Sequence, residues 1–348
     1  MRMINKGGSR IAFEMKEYQD YLFSQSFVYK TIKYSGDVNA GKVEQQRKDA
    51  LLMERASNSK FIPELYGYCS VGVMMDYMPE GNMHDYIKGS RLARSRQGQD
   101  GSGTSDSISS GKQALLPPVD RLRIAIHIAT SVADLHGIEK GKTSMPPFFH
   151  NDICCHQYLF QNGLFKLNDF NYAKPILVKK HQQTTTAPAE ICLRERVAMG
   201  MWKGRSLEEH QRSLKSTKAK PFSPDKLDVW MMGNVIYIIL TDLYTFELPK
   251  RLSTSETSRE LVAGKRSPYP EHIANSTDPS YVAMKTALDT MCWVEDWKAR
   301  PSAQEVSDYL MDQLRKISGE EHPDLRVVLP ERDKKQRPTD SEFNKMGY

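Results

Sequence analysis

Two aspartates, Asp152 and Asp169, lie 17 positions apart near the middle of the chain, each inside a short polar phrase. The first phrase is His150-Asn151-Asp152-Ile153-Cys154-Cys155-His156-Gln157, and the second is Leu167-Asn168-Asp169-Phe170-Asn171. Between them, Tyr158–Phe160 and Leu164–Leu167 flank Gln161-Asn162-Gly163. Asn-Gly between such runs is the strongest short-range hairpin signal, because both central residues of the tight turn take positive φ. A hairpin here would bring both carboxylates to one cleft. Two acids so placed suit a reaction that needs one group oriented and a cation held against negative charge. An Asp beside a turn is more often only a turn residue, so the surrounding elements must decide.

Those elements follow in order. Phe27-Val28-Tyr29-Lys30-Thr31-Ile32-Lys33 alternates aromatic and β-branched residues and predicts a strand. A helix is expected over Val43–Ala56, with Ala50, Leu51, Leu52 and Met53 on its apolar face. Phe61–Cys69 leads into a further strand, and Val71–Met78 reads as the next. Beyond a short helix at about Met83–Lys88, the pattern Leu122, Ile124, Ala125, Ile128, Ala129, Val132, Leu135 is helical. The apolar stretch Val229–Leu240 is too short to span a bilayer and reads as a buried helix.

The ordered set resembles the eukaryotic protein kinases, closest to tyrosine kinases and tyrosine-kinase-like serine/threonine kinases. The first acidic phrase is similar to H-R-D-L-x-x-x-N and the second to D-F-G. Phe27–Lys33 looks like the V-A-I-K strand, Asp228-Val229-Trp230-Met231-Met232-Gly233 like D-V-W-S-x-G, and Met291–Ser302 like C-W-x-x-D-x-x-x-R-P-S. Ser206-Leu207-Glu208 stands at the A-P-E position. The resemblance implies an α+β, bilobal fold. A small antiparallel β lobe with one helix would cover 4–77, and a larger, mainly helical lobe 81–316. A disordered insertion is expected at 91–113, rich in Ser, Gly and Arg, and an irregular charged tail at 317–348.

The same resemblance implies ATP and Mg²⁺ as cofactors and a protein substrate. Asp152 would orient the attacking hydroxyl, Lys30 would meet the phosphates, and Asp169 with Gln157 would hold the metal. Asp76, Tyr77 and Met78 would lie against the adenine behind Met75, while Gly7 and Gly8 would approach the phosphates. Asp49 stands where the family carries the acid that pairs with the strand lysine, and Glu54 is the alternative. His150, Phe170 and Met53 should pack behind the cleft, and Glu208 and Arg300 should form a buried ion pair.

Several positions depart from the pattern. In Asn5-Lys6-Gly7-Gly8-Ser9-Arg10-Ile11-Ala12, Asn5 and Arg10 replace two of the three glycines of the phosphate-covering loop. Arg10 thus puts a side chain where close backbone approach wants none. This strand begins almost at Met1, which is also what a truncated gene model would give. Asn151 replaces the loop arginine, and Cys154 takes the place of a phosphate-contacting lysine. Gln157 replaces the metal-binding Asn and carries its amide one methylene further, which matters to a cation as strict in geometry as Mg²⁺. Asn171 replaces the D-F-G glycine and tolerates positive φ better than most residues.

Two functions stay open: a protein kinase acting on Ser or Thr, and a pseudokinase scaffold with or without nucleotide. Small-molecule kinases share an H-x-D loop but lack the C-W…R-P-S run. Cys154 matches neither the serine/threonine nor the tyrosine type. With 39% hydrophobic and 26% charged residues, 348 residues suffice for a two-lobed unit. Five cysteines without a C-x-x-C spacing suggest neither a disulfide framework nor a zinc site. A net charge of +6 is mild, and Lys215–Lys220 reads as a solvated face, so no nucleic-acid partner is expected. No signal segment or membrane span is read, so a soluble, cytoplasmic protein is expected.

Overall fold

The computed structural model describes residues 1–6, 10–19, 22–33, 39–69, 71–90, 116–138, 145–177, 203–214 and 222–329. Five strands open the chain's fold: β1 (Arg2–Lys6), β2 (Arg10–Gln19), β3 (Leu22–Ile32), β4 (Leu65–Cys69) and β5 (Gly72–Asp76). They form one antiparallel sheet in the order β1-β2-β3-β5-β4. Inside this sheet Lys30 faces Ala12 on β2 and Val73 on β5. Side chains alternate along a strand, so Val28, Lys30 and Ile32 share one face, and all three are buried. The lysine therefore points into the core side, where an unpaired charge would be costly.

Helix α1 (Ala40–Arg55) packs on this sheet between β3 and β4 in sequence. Asn39 caps it by accepting the Lys42 N–H. Gln46, Asp49, Ala50 and Met53 are buried at the i, i+3, i+4, i+7 spacing of a core-facing stripe. Both elements start earlier than the sequence pattern suggested. Leu22–Gln25 continues the pairing with β2, and Asn39 supplies a cap that hydrophobic periodicity does not see.

The larger lobe holds α2 (83–90), α3 (Pro118–His136), α4 (Leu207–Ser213), α5 (Pro224–Thr241), α6 (Thr254–Val262), α7 (Glu271–Ala274), α8 (Pro279–Ala287) and α9 (Ala303–Ser318). Helix α5 is apolar on all sides and buried along nearly its whole length, as a central helix must be. Helix α3 packs against both α5 and α9. No described helix is long and apolar enough to cross a membrane.

The expected hairpin is present as β7 (Tyr158–Gln161) and β8 (Leu164–Leu167). Gln161 pairs with Leu164, and φ is 52° at Asn162 and 82° at Gly163, the two positive values that such a turn requires. Nearby, β6 (Phe148–Phe149) pairs with β9 (Lys174–Pro175) and closes the loops around both acids. The stretch read as an irregular tail from 317 begins inside α9 and then stays on the lobe. Val327 donates to the Gly163 carbonyl at 2.9 Å, and Leu325 and Val327 are buried. His127 contacts the Leu325 carbonyl through Nε2 at 2.8 Å, and its Nδ1 accepts the Phe165 N–H at 3.3 Å. One neutral tautomer satisfies both bonds, and burial pushes this imidazole down to about 4. Gly7, Gly8, the insertion 91–113, Lys215–Lys220 and the tail beyond 329 lie outside the described residues.

Glu208 and Arg300 meet at 2.7 Å, both buried, and Arg300 also donates to the Lys226 and Val294 carbonyls. Removing one partner of such a pair leaves the other uncompensated. Arg300→Ala should lower unfolding free energy by about 3–5 kcal/mol in denaturant titrations. Lys316→Ala, which breaks the exposed pair with Asp312, should cost no more than about 1 kcal/mol.

Candidate active site

The loop carrying Asp152 is held from below by α5. Asp228 accepts the backbone N–H of His150 at 2.6 Å and of Asn151 at 2.9 Å, and contacts His136 Nε2 at 3.0 Å. Asn151 takes φ 68°, a conformation that Asn adopts more readily than most residues. Asp152 then projects beside two donors. Gln157 Nε2 donates to it at 2.9 Å, and the Arg205 guanidinium lies 4.0 Å away. Arg205 is buried and also donates to the Asn151 carbonyl at 2.7 Å and to Glu209 at 3.3 Å. Burial raises the Asp152 carboxyl above the ordinary range, against the opposing pull of His150, Arg205 and Gln157. A carboxylate so raised is a better proton acceptor.

The hairpin returns the chain to the same place. The Asn168 N–H donates to the Gln157 carbonyl at 2.8 Å, and Asp169 follows in the left-handed region with φ 70°. Lys30 Nζ lies 2.5 Å from Asn168 Oδ1 and 3.7 Å from Asp49. Burial pushes Lys30 down to about 8, with Arg10 adding to that and Asp49 opposing it. Asp49 is fully buried and accepts the Phe170 N–H at 2.7 Å. Burial would raise its carboxyl, but Lys30, Arg10 and the Phe170 N–H together hold it below the ordinary range. The His150 and Phe170 rings lie 5.2 Å apart, and Met53 is buried in the same core. Glu54, the alternative partner for Lys30, is exposed.

Arg10 completes the cluster. Its guanidinium pairs with Asp49 at 2.5 Å and also directly with Asp169. The side chain that replaces a loop glycine thus bridges the helix acid and the acid expected to hold metal. Asp169 keeps 29% of its side-chain surface open to solvent.

At the junction of the lobes, the Asp76 carboxylate accepts the Glu64 N–H at 3.1 Å, the Tyr66 hydroxyl at 2.9 Å and Lys166 Nζ at 2.9 Å. Lys166 sits on β8, so this acid fastens the sheet to the hairpin and has little left for a ligand. Gln161 donates to the Tyr77 carbonyl at 3.2 Å, and Gly81 to that of Met78 at 3.4 Å.

Lys30, Asp49, Asp169, Asp152 and Gln157 are therefore gathered in one region, although the Gln157 amide nitrogen addresses Asp152. Sequence reasoning missed Asn168 as a Lys30 partner, Arg205 beside Asp152, and Asp228 as the anchor of the loop. For Arg205 the only available signal was an arginine directly preceding Ser206-Leu207-Glu208.

A family model described as protein tyrosine and serine/threonine kinase matches residues 23–310. Fibroblast growth factor receptor homolog 2 of Drosophila melanogaster is 24% identical over 279 residues, covering 78% of this chain and 23% of the relative. The chain thus spans less than a quarter of that relative's length. The antiparallel lobe, the helical lobe and the match across most of the sequence agree, and the chain belongs to the protein tyrosine and serine/threonine kinase family.

Proposed function

We propose that the chain transfers the γ-phosphate of ATP to a protein hydroxyl, with Ser or Thr as acceptor. The observation that carries this reading is the Lys30–Asp49 pair, formed while Asp152 precedes and Asp169 follows one short hairpin. Lys30 is positioned to meet phosphate oxygens as a point charge. Adenine would lie against the backbone of 76–78, because the Asp76 carboxylate is already engaged. Asp152, with its raised carboxyl, would accept a hydrogen bond from the hydroxyl under attack. Cys154 supplies no cation beside it, and burial, which pushes that thiol up, keeps it neutral. Arg205 takes over the positive charge at Asp152.

The residues fit a hard cation on one condition. Asp169 offers oxygen ligands with open surface, and Gln157, its amide nitrogen on Asp152, leaves its oxygen as donor. Mg²⁺ held there would neutralise charge on the transferring phosphoryl group. The condition is that Arg10 releases Asp169. Among the described residues, Cys69, Cys154, Cys155 and Cys292 are unpaired with one another, which fits a reducing, intracellular setting for such a reaction.

Arg10 also favours a second reading, a scaffold in which the clasp on Asp49 and Asp169 stays closed. The two separate in a phosphate-transfer assay on the full chain. The kinase reading expects Mg²⁺-dependent autophosphorylation that Asp152→Asn abolishes while nucleotide affinity stays nearly intact. No transfer by the parent chain, with partner binding indifferent to Asp152→Asn, would establish the scaffold.

Arg10→Gly tests the clasp itself. If closure limits the competent state to about a tenth of molecules, the variant should bind Mg²⁺–ATP about tenfold more tightly in calorimetry. An unchanged affinity would show that the clasp does not limit binding, and a weaker one that the contacts of Arg10 with the phosphates outweigh it. Gln157→Asn, which shortens the amide reach, should preserve or raise turnover.

A further inference from the structure

Three side chains with affinity for borderline metals meet at the end of the Asp152 loop, and the proposed phosphoryl transfer uses none of the three. His84 lies in the first turn of α2, while Cys155 and His156 belong to the single turn Cys155–Gln157 that ends the Asp152 loop. Cys155 Sγ is 3.8 Å from His84 Nδ1 and 4.0 Å from His156 Nδ1. The ligand atoms of all three lie within 4.8 Å of one another. Cys155 is buried, His84 half-buried and His156 exposed, so the cluster has a closed back and a wet front.

Zinc holds thiolate sulfur at about 2.3 Å and imidazole nitrogen at about 2.0–2.1 Å. One ion shared at the tetrahedral angle sets the S···N separation at roughly 3.6 Å. The observed separations exceed this by only tenths of an ångström. The two imidazoles stack with centroids 4.0 Å apart and planes 20° apart, so one ring must turn before both lone pairs meet at one ion. Exposed His156 can turn about its side-chain torsions to converge. The Tyr244 hydroxyl meets the same nitrogen of His84 and gives way when an ion takes that lone pair. Asp85, exposed next to His84, adds negative charge that favours a cation.

We infer that His84, Cys155 and His156 form a Zn²⁺ site that clasps α2 to the turn that ends the Asp152 loop. Three protein ligands leave the fourth tetrahedral position to water, which the exposed front admits. The ion displaces the proton of the Cys155 thiol, which is released to solvent. A sulfur- and nitrogen-rich set selects against Mg²⁺, which prefers oxygen. The two proposed cation sites therefore do not compete, and this one stands whether or not the chain transfers phosphate.

The test uses the full chain, stripped by chelator and titrated with Zn²⁺ in a calorimeter. One site is expected, unaffected by excess Mg²⁺. Cys155→Ser and His156→Ala should each weaken it about tenfold or more, while Cys69→Ser, at the exposed cysteine on β4, leaves it unchanged. Co²⁺ in place of Zn²⁺ should give a thiolate-to-metal absorption band that Cys155→Ser removes. His156→Ala removes an exposed side chain and so does not confuse lost binding with lost folding. Absence of Zn²⁺ binding, or binding equal in parent, Cys155→Ser and His156→Ala, overturns the inference.

Discussion

A carboxylate with no exposed surface survives only if positive charge and hydrogen-bond donors surround it, and the architecture of the cleft follows from how Asp49 meets that demand. Lys30 arrives from β3, Arg10 from the start of β2, and the Phe170 N–H from the segment after β8. Four parts of the chain are thereby referred to one pair of oxygens. Because removing any partner leaves charge stranded in a dry place, the arrangement behaves as a unit. The helix cannot move away from the sheet without also releasing the acid-bearing segment of the larger lobe.

The same physics recurs at two further acids. Asp228 gathers the His150 and Asn151 N–H groups, so the loop bearing Asp152 is positioned by the buried helix α5. Asp76 ties Glu64 and Tyr66 of the small lobe to Lys166 of the hairpin. In each case a carboxylate satisfies backbone donors and a neighbouring element at once. Neutral–charged hydrogen bonds of this kind are stronger and shorter than neutral ones. The placement of the cleft's side chains thus rests on acids whose carboxylates are already engaged within the chain.

Much of this was legible in sequence because it is local or periodic. Asn162-Gly163 announces its turn by the φ it needs, and the apolar stripe of α1 announces its face. The Glu208–Arg300 pair and the Asp49 partnership rested instead on motif order across long separations. What escaped was contact chemistry between residues with no fixed spacing. Nothing in the sequence ties Asn168 to Lys30 or Arg205 to Asp152, pairs that only the fold brings together. Arg10 was visible as a departure from glycine, but a sequence records only that a side chain is present, not where it reaches.

That reach has a simple electrostatic meaning. With Lys30 and Arg10 facing Asp49 and Asp169, two positive charges balance two negative ones, and the cleft is locally neutral. Replace the arginine by glycine and one negative charge is left over, concentrated on the more open Asp169, which is what attracts a divalent cation. Under the proposed function, Arg10 would substitute for part of the metal's charge. It does so from a position fixed by the sheet, since Arg10 pairs in register with Ile32, so little ordering is needed to close the clasp. A guanidinium also binds phosphate well, which gives it somewhere to go when a nucleotide enters. Under the proposed function, the clasp and the polyphosphate would then compete for one side chain, and the balance between the resting and working cleft would be set by which anion holds Arg10 more tightly.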